Sequence, residues 1–187
     1  MVSAHVRGYR PGLKVFRPVT KEMTSMSTAP LAIGTAAPAF TLPSKPGNPV
    51  DVGASIGKEA VVLLFMPLAF SGVCTTEVCT LRDDWAKWGA LGAKVFGITV
   101  DSPFATEKFR EMEKIPFPIL SDFNKTVARS YGVLHEDLMG LHGVAKRSVF
   151  VVGRDGKVMY AWVTENPGVQ IPFADVMQAL ESAAQPA

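Results

Sequence analysis

Only two of the 187 residues are cysteine, and only three are histidine. A secreted domain stapled by disulfides carries more bridges in a shorter chain, so a disulfide scaffold is excluded. There is no C-x-x-C pair, which argues against a thiol–disulfide oxidoreductase acting on proteins. Long apolar runs are missing too. Crossing a bilayer takes about 20 residues, whereas the longest run here, "AVVLLFMPLAF" at 60–70, is interrupted by Pro67. A concentrated basic face is also lacking. The formal charge is only +2, and Arg7, Arg10, Lys14, Arg17 and Lys21 face Glu22 alone in the first 27 residues. The rest of the chain is therefore mildly acidic. Nucleic acid and membrane are both excluded as partners on this reading.

What is present suits one globular domain: 48% apolar and 19% charged residues, in a chain long enough to bury a core. Residues 1–29 show little periodicity and read as a flexible extension outside a domain spanning 30–187. This tail is basic and poor in acids, as transit peptides are, but it lacks the apolar core of a secretory signal. A mobile tail on a cytoplasmic protein is the plainer reading; organellar import is the alternative.

The domain reads as alternating strands and helices. "PAFTL" at 38–42 and "NPVDV" at 48–52 predict a short β-hairpin around turn-rich residues. "AVVLLFM" at 60–66 is continuously apolar, as a central strand buried on both faces should be. A helix is expected over 74–91, with Val78, Leu81, Trp85 and Trp88 on one stripe. A strand at 94–100, a helix at 103–114, a short strand at 117–120 and a short helix at 124–132 follow. "SVFVV" at 148–152 and "VMYAWV" at 158–163 flank an Asp155-Gly156 turn, and an amphipathic helix at 173–184 closes the chain. This order implies an α/β fold with a central mixed sheet flanked by helices.

The two thiols stand in "PLAFSGVCTTEVC", where a strand gives way to a helix. The first turn of a helix offers unpaired N–H groups and partial positive charge, which favour a sulfur as thiolate. Cys74 is the candidate nucleophile on that ground. Ser71 is placed to donate its hydroxyl to the sulfur or to a bound oxygen. Cys79 lies about 140° around the helix from Cys74, beside Arg82. Five residues along an intact helix separate Cα atoms by more than about 8 Å, beyond the ~7 Å limit of disulfide geometry. If the two thiols pair, the helix must unwind.

"PLAFSGVCTTE" resembles the peroxiredoxin signature P-x3-[T/S]-x2-C, with Pro67, Ser71 and Cys74 at its three positions. "CTTEVC" is similar to the Q-type (bacterioferritin comigratory protein) subgroup, in which the resolving cysteine sits where Cys79 does. "FMPLAF" and "SVFVVGRDGKVMYAWV" also look like the one-cysteine E-type branch. The resemblance spans residues 31–183. It implies a thioredoxin-like fold with an N-terminal β-hairpin extension, and a thiol peroxidase acting on hydrogen peroxide or organic hydroperoxides. It further implies a Cys74–Cys79 disulfide, a thioredoxin or glutaredoxin-like dithiol reductant, no cofactor and no metal, in a monomer or homodimer. The family's arginine beside the sulfur corresponds to Arg147 in "AKRSVFVV", and its proline, here Pro67, shields the sulfur. Ser71 departs from the commoner threonine, and Met66 from an aromatic residue. Glu77, on the nucleophile's helix, takes a structural hydrogen-bonding role by the same resemblance.

Two alternatives stay open. In a one-cysteine cycle an external thiol resolves Cys74 and Cys79 is idle. In a different class, Cys74, Cys79, His135 and His142 would form a Cys2His2 metal module, although the histidine gap is wide for zinc. The plainer expectation places both histidines on a surface loop.

Overall fold

The computed structural model describes residues 29–184. The proposed extension at 1–29, with its targeting alternative, lies outside the described residues except for Ala29. Twelve elements follow in order: β1 (Thr41–Lys45), β2 (Asn48–Asp51), β3 (Val61–Phe65), α1 (Gly72–Asp83), α2 (Trp85–Ala90), β4 (Lys94–Thr99), α3 (Pro103–Met112), β5 (Ile119–Ser121), α4 (Thr126–Ser130), β6 (Ser148–Val152), β7 (Val158–Val163) and α5 (Phe173–Ala184).

Every residue of β3 is buried, as its unbroken apolar sequence requires. It lies in the middle of a five-stranded sheet ordered β5-β4-β3-β6-β7. β4 and β5 run parallel to it in succession, whereas β6 is antiparallel to β3 and β7 to β6. Side chains alternate across the pleat. Val62, Leu64 and Met66 join Val78, Leu81 and Trp88 of α1 and α2 and Val176 and Leu180 of α5 on one face. Val61, Leu63 and Phe65 join Phe96, Val127, Tyr131 and Phe150 on the other, with Leu42 and Val52 from the hairpin region. The expected mixed sheet with cover on both faces is what forms.

Three local differences from the sequence reading have physical causes. β1 begins three residues later than expected and includes Pro43, which pairs with Pro49. The hairpin is a separate two-stranded sheet, so each proline needs no N–H on an outer edge. The helix foreseen at 74–91 starts two residues earlier and is two helices, because Asp84 at φ −95°, ψ 12° breaks it. At the β6–β7 turn only Gly156 has positive φ, at 78°; Asp155 instead uses its carboxylate to accept from Lys157 N at 3.0 Å.

Tyr131 ties the leading segment down. Its backbone carbonyl accepts from Leu31 N at 3.1 Å and its hydroxyl donates to Pro38 O at 3.0 Å. Burial pushes this phenol's pKa up, so it remains a donor.

Candidate active site

β3 ends at Phe65, and Met66 and Pro67, both buried, lead into an irregular loop. Thr75 N makes the first helical hydrogen bond of α1, to Ser71 O at 2.9 Å. Cys74 therefore sits in the first turn, where the amides ahead of the ladder have no helical partner. Its side chain is fully buried.

β6 is paired so that Ser148 stands opposite Phe65, the last residue of β3. Arg147, one residue before β6, is therefore delivered to the end of the sheet from which the cysteine loop departs. Its Nη2 donates to Cys74 Sγ at 3.3 Å. The guanidinium is 1% exposed, and its other contacts fix its orientation. Nη2 and Nε donate to Pro167 O at 3.0 and 3.3 Å. Nη1 lies 2.9 Å from Glu77 Oε1. That approach is close but bent: neither atom has a well-aligned hydrogen bond, so the attraction is chiefly ionic. Glu77 Oε2 in turn accepts from Ile171 N at 3.1 Å. Burial raises the Glu77 pKa, against the opposing pull of the Arg147 charge and of the Ile171 hydrogen bond. Glu77 is three residues from Cys74, one turn along α1, so sulfur and carboxylate both face Arg147.

Ser71 is the N-cap of α1, but its side chain does not cap the helix. The hydroxyl donates to Leu68 O at 3.0 Å and braces the loop in this state. Asp101 braces the same loop from β4's end: its Oδ2 accepts from Ala69 N at 2.6 Å and from Thr99 Oγ1 at 2.7 Å. Between these anchors Phe70 is held at φ 61°, a conformation that disfavours a non-glycine residue by about 1–3 kcal/mol. Its ring packs edge-on against Phe109 at 5.0 Å.

Cys79 is elsewhere. It lies on a partly exposed face of the same intact helix, and both cysteines are free thiols. Its Sγ donates to Glu113 Oε2 at 3.5 Å. The two histidines do not approach these thiols as a cluster: among the described residues no three metal-capable side chains gather. His142 is exposed, as a surface loop residue should be, but His135 is 5% exposed. Its Nδ1 is 3.5 Å from Glu165 Oε2, and its Nε2 is buried without a hydrogen-bond partner.

A sequence profile of the AhpC/TSA family matches residues 33–161. The chain belongs to that family, the peroxiredoxins. A Mycobacterium tuberculosis protein bearing the name peroxiredoxin is 37% identical over 137 residues, covering 72% of this chain and 86% of its own length. A Coxiella burnetii peroxiredoxin, bcp, is 33% identical over 135 residues, covering 71% and 88%. The crystal structure of peroxidoxin BcpB from M. tuberculosis superposes with a TM-score of 0.71 at 30% identity, over 83% of this chain and 99% of that one. The peroxiredoxin has the thioredoxin-like fold expected of it, and as a family member it is a thiol-dependent peroxidase.

Of the residues the sequence pointed to, the structure brings Cys74 and Arg147 into contact, while Pro67 is buried two residues past the end of β3. Cys79 is not with them. Three contributors to this peroxiredoxin's site were missed in sequence: the Pro167 carbonyl, Ile171 N and Asp101. The first two act through backbone atoms and leave no side-chain signal. Glu77 did carry one, a carboxylate three residues from Cys74 on the same helix.

Proposed function

We propose that Cys74 is the sulfur that takes the peroxide oxygen and Cys79 the sulfur that resolves it. The observation carrying this reading is the 3.3 Å contact from Arg147 Nη2 to Cys74 Sγ in the first turn of α1. A fixed guanidinium beside a sulfur favours the anion electrostatically, and its fork of donors matches the two oxygens of a peroxide. The thiolate attacks one oxygen of a hydroperoxide in line. The O–O bond breaks, the sulfur becomes a sulfenic acid, and the leaving oxygen gains a proton as water or alcohol. Arg147 and the unpaired amides of α1 are placed to stabilise charge moving through the oxygens. Ser71 joins them once its hydroxyl turns from Leu68, while Pro67 walls the sulfur from water. Because Cys74 is fully buried, the oxidant enters by a small opening of the Leu68–Gly72 loop.

The Xanthomonas campestris bacterioferritin comigratory protein, described for alkyl peroxide reduction, superposes with a TM-score of 0.67 at 26% identity, over 78% of this chain and 92% of that one. Hydrogen peroxide and organic hydroperoxides are the substrate class proposed here. Condensation of Cys79 with the sulfenic acid then gives an intramolecular disulfide, which a thioredoxin or glutaredoxin-like dithiol reduces by exchange. A reducing compartment such as the cytoplasm suits this cycle; no described helix is long and apolar enough to cross a membrane. The working unit is a monomer or homodimer.

The one-cysteine cycle keeps one observation in its favour: Cys79 is engaged by Glu113 on an unbroken helix. Peroxide consumption by Cys74→Ser and Cys79→Ser, with mass spectrometry of the oxidised protein, separates the two. The proposal expects no reaction from the first variant and one equivalent consumed by the second. In the wild type it expects a loss of two hydrogens. A stable sulfenate or mixed disulfide in the wild type would instead select the one-cysteine cycle.

A further inference from the structure

The corner where α3 ends holds α1 at two points. Glu113 is the C-cap residue of α3. Its carboxylate Oε2 accepts from Cys79 Sγ at 3.5 Å, and its backbone carbonyl accepts from Arg82 Nη1 at 2.6 Å. Cys79 and Arg82 are three apart, so they lie on one face of α1. Arg82 also suits this place electrostatically, since a cation complements the negative end of a helix. One residue of α3 thus grips two residues of the segment that must unwind before Cys79 can reach Cys74.

We propose that Glu113 and Arg82 form a latch on the resolving cysteine, and that the strength of this latch sets how fast the Cys74 sulfenic acid becomes a disulfide. This deepens the function proposed above and rests on it. Glu113 and Arg82 are positioning residues: neither touches the peroxide. The groups facing the Cys79 sulfur are Glu113 from α3 and Arg82 and Asp83 from α1. Burial pushes the Cys79 thiol's pKa up; Arg82 pulls it down, while the Glu113 hydrogen bond, the Glu113 charge and Asp83 push it up. The balance keeps a proton on the parked sulfur, which is what donation to a carboxylate requires. Opening of α1 breaks the contact, and the freed thiol loses its proton to water. The Cys79 thiolate then attacks the Cys74 sulfenic sulfur. An S–S bond forms, the S–O bond breaks, and the departing hydroxide takes up a proton, so the net product is water. Cys79 is oxidised and the sulfenic sulfur is reduced, with no further oxidant needed. A tighter latch lengthens the life of the sulfenic acid and exposes it to a second peroxide.

The test follows disulfide formation by rapid quench and mass spectrometry after one equivalent of hydrogen peroxide, across pH 7–10, in full-length wild type, Glu113→Gln and Arg82→Met. Consumption of that first equivalent is the control for folding, and it should be unchanged in both variants. Disulfide formation should be about 5-fold faster or more in each, the effect of about 1 kcal/mol of lost latch. Looser packing alone would speed both variants alike. The latch instead predicts that the pH profile moves to lower pH in Glu113→Gln and to higher pH in Arg82→Met. Both variants should also need more peroxide to reach the sulfinic acid. If wild type forms no Cys74–Cys79 disulfide, the resolving role falls and the latch with it. If the disulfide forms, but with a rate and pH profile that Glu113→Gln leaves unchanged, the latch alone is overturned.

Discussion

Arg147 Nη1 and Glu77 Oε1 meet at 2.9 Å with both side chains sealed from solvent, so the guanidinium that holds the Cys74 sulfur is itself held by a buried carboxylate. A buried charge stripped of its partner destabilises a fold by about 3–5 kcal/mol. Arg147→Gln should therefore lower stability by about that amount at neutral pH and slow peroxide reduction by about 100-fold or more. Burial already raises the Glu77 pKa above 4.5, and removing Arg147 takes away the largest opposing influence. A carboxyl whose folded pKa is raised stabilises the fold at low pH and loses that contribution as pH rises through the folded value. The variant's urea midpoint should thus fall more steeply than wild type's on going from pH 4.5 upward. Equal slopes would count against the buried pair.

His135 gives the opposite sign. Burial lowers its pKa from 6.5, with Lys146 acting in the same direction and Glu165 against both. The unfolded chain therefore takes up a proton before the folded one does. Stability should be complete above pH 6.5 and decline as pH falls below it. His135→Gln should flatten that decline in urea unfolding followed by tryptophan fluorescence. A wild-type midpoint constant over the same interval would rule the idea out.

Asp101 should matter to the oxidation step without touching the sulfur. Asp101→Ala releases Ala69 N and Thr99 Oγ1 together, and with them the restraint on Phe70 at φ 61°. Losing charge-assisted hydrogen bonds of this kind costs about 1.5–3 kcal/mol, so kcat/KM for peroxide should drop about 10-fold. Asp101→Asn retains an acceptor and should recover part of the rate. Stopped-flow measurement of the first oxidation event decides it.

Gly132 is a steric test of the fold. It has φ +68°, and a Cβ there would lie 2.6 Å from the Ala29 carbonyl carbon and 3.0 Å from Pro30 Cα. Neither neighbour is a flexible side chain, so the backbone itself must move. Gly132→Ala should lower the melting temperature, with a destabilisation of about 1–3 kcal/mol or more. Unchanged melting would mean that the segment at 29–30 is not docked as described.

Much of the fold was legible because each layer has a short-range signature. β6, β7 and α5 fall within their sequence-derived bounds, and β3 reads as central from its unbroken apolar run. The division at Asp84 was not legible, because the apolar stripe through Trp85 and Trp88 continues across the break. His135 was expected on the surface, since nothing in "YGVLHEDL" says that its loop folds back against Lys146 and Glu165.

Local sequence was enough to single out Cys74 as the candidate nucleophile, the strand-to-helix turn that carries it and, through resemblance, the arginine that meets it. These are local facts: spacing along one segment and the polarity of a helix's first turn. That Arg147 is gripped by Glu77 and the Pro167 carbonyl, and that Cys79 is held on Glu113 apart from Cys74, came instead from the packing of distant segments. Those contacts join residues 20 to 70 positions apart. Chain spacing carries no record of them, because they exist only once the sheet has set the β3–β6 register and α3 has packed beside α1.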